Sequence, residues 1–267
     1  MDLSVGSTLA ASSMTMAIIS GFLGLPTWLG AIAALLLGAG VGWLNGYLVT
    51  KTNLPSFVVT LATMFAVSGI TLGFTRLIVG STSVTMKPDE TFQTLFGNLI
   101  FGLFESAVIW WAIVAIIVSW ILYKSIFGNW IYAIGGDVIS ARATGIPVNK
   151  VRISLFIGSG VGAALVGVIQ TCLYNGAQVA AGQSFVFNSI IAVVVGGVLL
   201  TGGYGSTIGV ILGTVTFGIV NQGIYYTGWD ADWASLILGL LLLAAVLTNN
   251  TFRRLALSGG KKEKKND

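Results

Sequence analysis

Few side chains in this 267-residue sequence are equipped for chemistry. It has no His and a single Cys, Cys172, which excludes an internal disulfide, a Cys/His zinc site and any His-based general base. No apolar stretch holds a pair of carboxylates, and no Gly-x-x-x-x-Gly-Lys-[Ser/Thr] phosphate loop occurs. The sequence therefore reads as a non-enzyme with no catalytic residue and no metal site. What remains are uncharged polar residues that interrupt apolar runs. Ser56, Thr60, Thr63 and Thr71 fall close to one stripe of a helix, next to Phe57, while Asn45, Asn188, Asn221 and Gln222 stand in other runs. Amides and hydroxyls of this kind line a passage for a neutral, hydroxylated solute without burying a charge. The same residues also serve structure, Ser and Thr by bonding their own helix carbonyls and Asn by tying helices together. The residue types leave both uses open. Counted along the chain, no ionisable residue lies near the middle of an apolar run, so an ion-coupled carrier lacks its usual carboxylate.

The elements that carry these residues are set by composition. Charged residues make up 8% of the chain, against about 25% in a soluble domain. Apolar residues make up 55%, there are 36 Gly, and mean hydropathy is +0.91. This excludes both a soluble globular protein and a disordered chain. A bilayer core requires about 20 apolar residues per helix, and that ruler predicts an all-α, polytopic membrane helical bundle with eight spans. They run roughly over 3–24, 28–50, 56–79, 99–123, 151–171, 184–201, 206–226 and 232–249. The first, rich in Ser and Thr, is the weakest by hydropathy. The fourth has no glycine between Glu105 and Tyr123 but contains Trp110, Trp111 and Trp120, as expected of a lipid-facing perimeter helix. Residues 1–250 form one membrane domain, followed by a basic tail over 251–267.

Lys51, Lys124, Arg142, Lys150, Arg152, Arg253, Arg254 and the four lysines between Lys261 and Lys265 fall on one side of the eight spans, and only Arg76 and Lys87 on the other. This asymmetry predicts that both termini are cytoplasmic. The lysine-rich end reads as a solvated tail that marks the cytoplasmic side, with a lipid-headgroup or nucleic-acid contact as the lesser reading. The partner expected of the chain is membrane lipid and no nucleic acid. Small residues recur at helical spacing in three spans: Gly38, Gly42 and Gly46; Ser154, Gly158 and Gly162; and Gly205, Gly209 and Gly213. Such stripes let helix backbones approach closely in lipid, and they read as packing surfaces.

The connection from Gly128 to Lys150 is the most distinctive segment. Asp137 stands where a helix N-cap would lie, Ala141 and Ala143 favour helix, and Gly145 with Pro147 provides a stop. A short surface helix here would suit docking onto another protein; a plain charged connector is the competing reading.

Several stretches, in this order, carry a family resemblance. They are Asp2-Leu3-Ser4-Val5-Gly6-Ser7, Leu44-Asn45-Gly46, Leu54-Pro55-Ser56-Phe57 with its continuation to Met64, Tyr132-Ala133-Ile134-Gly135-Gly136, Val194-Val195-Gly196-Gly197, and Gly202-Gly203-Tyr204-Gly205-Ser206. From residue 2 to about 250 the chain resembles the permease subunit of bacterial ABC importers for simple sugars, of the ribose, xylose, arabinose and galactose type. The resemblance implies alternating access, with a sugar or polyol delivered by a periplasmic binding protein to outer loops that include 81–98 and 227–231. It implies a second permease subunit, identical or homologous, and ATPase subunits that supply ATP and Mg, so that this chain holds no cofactor. By resemblance Asp137, Ser140, Ala141, Arg142, Gly145 and Ile146 form the coupling loop that docks on the ATPase, although Asp137 and Ser140 depart from the residues usual there. The implied location is the bacterial inner membrane. The family has about ten spans, the Asp-Leu-Ser-Val-Gly-Ser motif following two further helices, so a shortened start is expected here. The competing functions are an ATP-independent channel or carrier for a small neutral solute, and a membrane scaffold.

Overall fold

The computed structural model describes residues 1–52, 54–100, 102–199, 202–227, 233 and 236–248. The basic tail expected over 251–267 and the 228–232 part of the last connection lie outside the described residues. The helices are α1 (Val5–Ala17, continued by a π turn over Ile18–Phe22), α2 (Thr27–Thr52), α3 (Ser56–Val79), α4 (Glu90–Phe92), α5 (Ser106–Lys124), α6 (Ile126–Gly136), α7 (Val138–Ala143), α8 (Val148–Leu173), α9 (Gln183–Val195), α10 (Thr207–Tyr226) and α11 (Leu236–Thr248). Four short strands join them: β1 (Ser83–Thr85), β2 (Leu99–Ile100), β3 (Phe104–Glu105) and β4 (Gly176–Gln178). The chain divides into two compact units, one of residues 1–117 with 145–186 and one of 118–144 with 187 onward.

Among the described residues, six helices are long and apolar enough to cross a membrane, where the hydropathy ruler counts eight. The difference lies in α9 and α11. α9 is 13 residues, about 20 Å at 1.5 Å per residue, short of the bilayer core, and α11 covers 13 of the described residues. α9 stops because Gly196 and Gly197 follow it, Gly197 in the left-handed region at φ +82°. The fourth span also starts later than expected, at Ser106. Leu99–Ile100 instead pairs antiparallel with Phe104–Glu105, with Gly102 at φ +69°.

The first unit is built around α1. The span weakest by hydropathy is the most enclosed, with 61% of its residues buried against 6% for α5, which is the perimeter helix expected. α1 packs on α2, α3 and α8. Its Ser and Thr lower the hydropathy, but they face protein and not lipid. Ser13 Oγ donates to the Leu9 carbonyl at 2.9 Å, Thr15 to Ala11 at 2.8 Å and Ser12 to Ala34 on α2 at 3.2 Å. Beyond α1, β1 pairs antiparallel with β4, setting Val84 opposite Ala177, and both enter a core with Met14, Met16, Ala17, Ala31, Val168 and Cys172. The start of α2 is fixed from the same region: Thr27 N donates to Asp89 Oδ2 at 3.1 Å and Asp89 N returns a bond to Thr27 Oγ1 at 3.0 Å.

α2 and α8 make the most intimate contact. A Cβ added at Gly42 would meet the Phe156 carbonyl, one at Gly38 the Gly160 carbonyl, and one at Gly46 would lie 2.7 Å from Ile153 Cα. The stripe expected on α2 is thus in use. On α8 the expected stripe is not: Gly158 and Gly162 face open space, and the contact runs instead through Phe156, Gly160 and Ala164. Both stripes satisfy the same spacing, and only the one facing α2 is packed. In the second unit Gly209 and Gly213 abut Gly196 and Ala192 at the end of α9. Gly160→Ala should destabilise the protein by roughly 1–3 kcal/mol. Gly158→Ala, in open space, should be neutral or gain up to about 1 kcal/mol. Thermal denaturation of the two variants in mild detergent compares them directly.

Candidate functional site

The polar residues expected along a pathway sort into different surroundings. Asn45 is fully buried, and its Nδ2 donates to Ser4 Oγ at 2.8 Å. Thr60 is fully buried too: its Oγ1 donates to the Ser56 carbonyl at 2.8 Å and accepts from Leu3 N at 3.1 Å. Thr63 is buried and bonds back to the Val59 carbonyl at 3.0 Å. The Thr stripe of α3 therefore meets the segment leading into α1. Asp2 completes this knot. Its Oδ1 accepts from Ser4 N at 3.0 Å and Ser4 Oγ at 2.7 Å, and its Oδ2 accepts from Ser159 Oγ at 2.8 Å. Ser159 lies midway along α8. Met1 N donates to Ser56 Oγ at 3.4 Å, so Asp2 stands level with the first turn of α3 while its carboxylate reaches Ser159 on α8.

Beside the start of α1 lies a cavity of about 760 Å³. Gly6, Ser7 and Ala10 of α1 form one wall, Met64, Phe65, Ser68, Gly69 and Leu72 of α3 another, and residues 82–83 and 178–186 the rest. None of Asn45, Phe57, Thr60 and Thr63 is among the lining residues. Sequence reasoning missed Ser68 because it sits about 80° round the helix from Thr60 at 100° per residue. It missed Gln178 and Gln183 because the polar run 175–183 reads as a simple break. Phe57 is exposed; in the second unit Asn188 and Asn221 are half-buried and Gln222 is exposed.

The segment expected as a loop over 128–150 is largely helical. Ser125 caps α6 by accepting from Gly128 N at 3.1 Å. Ile126, Phe127, Trp130, Ile131 and Ile134 have the helical spacing that signals α6, a signal that Gly128, Gly135 and Gly136 obscure. α7 follows, with Asp137 as its N-cap: Oδ1 accepts from Ser140 N at 2.7 Å. The N–H of Ser140 is the main cause holding this carboxyl below the usual carboxylate range, aided by the Ser140 hydroxyl and the Ile139 N–H. Because the folded value is depressed, the cap's contribution is complete above the ordinary Asp range and lost only as pH falls through the folded value. Thr144 closes the helix onto the Ser140 carbonyl, and Gly145 turns the chain at φ +85° before Pro147 starts α8. Ala141 is buried, whereas Ile139 is 81% exposed and shares the outer side with Arg142 one turn on. Ile146 is half-buried.

Long apolar helices with a short capped helix between two of them define a multi-pass membrane protein. The chain belongs to the family described as branched-chain amino acid transport system / permease component, whose model matches residues 1–246. It is 32% identical over 252 residues to the ribose import permease protein RbsC of Escherichia coli strain K12, covering 93% of this chain and 77% of that relative. It is 34% identical over 253 residues to the Bacillus subtilis ribose import permease protein RbsC, covering 92% and 75%. Against the fructose import permease protein FrcC of Rhizobium meliloti it is 31% identical over 262 residues, covering 96% and 71%. No solved structure matches the chain.

The cap makes a specific demand on residue 137. Asp137→Asn keeps a side-chain acceptor and should preserve α7, whereas Asp137→Ala should unwind it. Limited proteolysis of the 137–147 segment should accelerate severalfold in the alanine variant alone.

Proposed function

We propose that this chain is a membrane-spanning subunit of an ATP-binding-cassette importer and moves a sugar or polyol by alternating access. The observation that carries the reading is α7: a capped and stopped helix that presents Ile139 and Arg142 outward, between two membrane helices. An exposed aliphatic side chain beside an exposed guanidinium, on a helix fixed at both ends, suits a groove on a partner protein. That partner is an ATPase subunit, which holds the ATP and Mg that this sequence has no phosphate loop to bind. Asp137, Ser140 and Gly145 shape the docking helix, Ala141 seats it, and Ile146 leads on to α8. The names of the ribose and fructose relatives support a sugar as cargo. A periplasmic binding protein delivers it, and a second permease subunit completes the pathway. The Lys and Arg distribution supports a cytoplasmic side for α7 and both termini, and the permease family supports the bacterial inner membrane as the location.

A second reading gains from Asp2. Its carboxylate accepts from Ser159 Oγ on α8, which puts an ionisable group inside the helix bundle. One experiment separates the two. The tagged chain is purified in mild detergent from its native membranes, co-purifying proteins are identified by mass spectrometry, and uptake of ribose and fructose is followed with and without ATP. The importer reading expects an ATPase bearing a phosphate loop and uptake that requires ATP. It also expects Ile139→Asp and Arg142→Glu to lower ATPase recovery severalfold while the chain remains in the membrane. Uptake by the chain alone, driven by an ion gradient, would replace it with the carrier.

A further inference from the structure

We propose that the 760 Å³ cavity beside the start of α1 holds the neutral, polyhydroxylated solute in transit, and that Gln183, Gln178 and Ser68 select it. The proposal rests on the transport reading above and adds where in the chain the solute is recognised. The volume falls within the range of about 300–1,000 Å³ that suits small-molecule sites. No Lys, Arg, Asp or Glu lines the cavity, which disfavours an ionic cargo. The polar lining consists of hydroxyls and amides: Ser7, Ser68, Thr82, Ser83, Gln178 and Gln183. Among the described residues, the side chains of Ser68, Gln178 and Gln183 make no hydrogen bond, so their donors and acceptors are free for a ligand. Ser7 differs, since its hydroxyl already donates to the Ser4 carbonyl at 2.9 Å.

Two further features fit a sugar-like solute. Met64, Phe65 and Leu72 supply the apolar part of the wall, as needed by a ring with C–H faces and hydroxyl edges. Second, α1 starts at this wall, where the first-turn N–H groups of Gly6 and Ser7 have no carbonyl of their own helix to meet. Gly182 presses against the Gly6 carbonyl, and a Cβ on either glycine would collide with the other's backbone. That close approach sets Gln183 next to Ser7 on the same cavity.

The test uses the intact chain in its native membranes, with single cysteines at Ser68→Cys and Gln183→Cys and a control at Phe74→Cys. Phe74 lines a separate apolar recess on α3, and the native Cys172 is fully buried and silent. A small, water-soluble thiol reagent should label positions 68 and 183 quickly and position 74 slowly, and a sugar that the parent imports should slow the first two. Gln183→Ala should raise the uptake KM roughly 5- to 10-fold, as for one lost hydrogen bond to the solute, with Gln183→Asn between parent and alanine variant. ATPase recovery should be unchanged in both, which separates a solute contact from a folding defect. Labelling at 68 and 183 as slow as at 74 would show a space filled by lipid or by another segment, and would overturn the proposal. Fast labelling that no imported sugar slows, together with an unchanged KM, would overturn it equally. If the parent imports no sugar, the transport reading fails and the solute assignment falls with it, a result distinguishable because it appears before any variant is made.

Discussion

The Asp2 carboxylate, shared between Ser4 on its own segment and Ser159 midway along α8, sets the level at which α1 begins. A carboxylate taken out of water is costly unless it is hydrogen-bonded. Here three donors surround the carboxylate, and the segment around it is anchored by Asn45 on α2 and Thr60 on α3. Four elements thus converge on a few residues. Once this point is fixed, α1 has to run between α2, α3 and α8. Its small hydroxylated surface is then an advantage, because Ser7, Ser12, Ser13 and Thr15 each donate to a carbonyl within the bundle, although the buried Thr8 hydroxyl has no such partner.

Close packing follows from the same requirement. α2 can lie against α8 only because Gly38, Gly42 and Gly46 face the α8 backbone without a side chain between. Lipid offers no hydrophobic expulsion to drive helices together, so van der Waals contact at short range must do so. The perimeter helix α5 shows the opposite solution, with Trp, Ile and Val turned outward and little of it buried.

The spans α2, α3, α8 and α10, the perimeter character of α5 and the capped helix at Asp137 are legible in the residues themselves, because each rests on local spacing or a local cap. The failures share one cause: partners far along the chain. The low hydropathy of α1 reads as weakness until its neighbours are known. Gly158 and Gly162 form as good a stripe as Gly160 and Ala164 until α2 is placed. Asp2 precedes α1 in sequence, and its bond to Ser159, 157 residues on, appears only in space. The same cause divided the polar residues: Asn45 and Thr60 tie α2 and α3 to the start of α1, Thr63 bonds back within α3, and Ser68, Gln178 and Gln183, off the obvious stripe, border the cavity.

The β1–β4 ladder has a mechanical meaning. It joins the connection after α3 to the connection after α8 through main-chain bonds, extended by Met86 N to the Asn175 carbonyl at 3.0 Å and Val179 N to the Thr82 carbonyl at 3.1 Å. Side-chain identity matters little to such bonds. The strap can therefore drift in sequence while still acting as a tie rod. Because it borders the cavity, a displacement that pulls α3 away from α8 has to be accommodated within the space where Ser83 and Gln178 stand opposite each other.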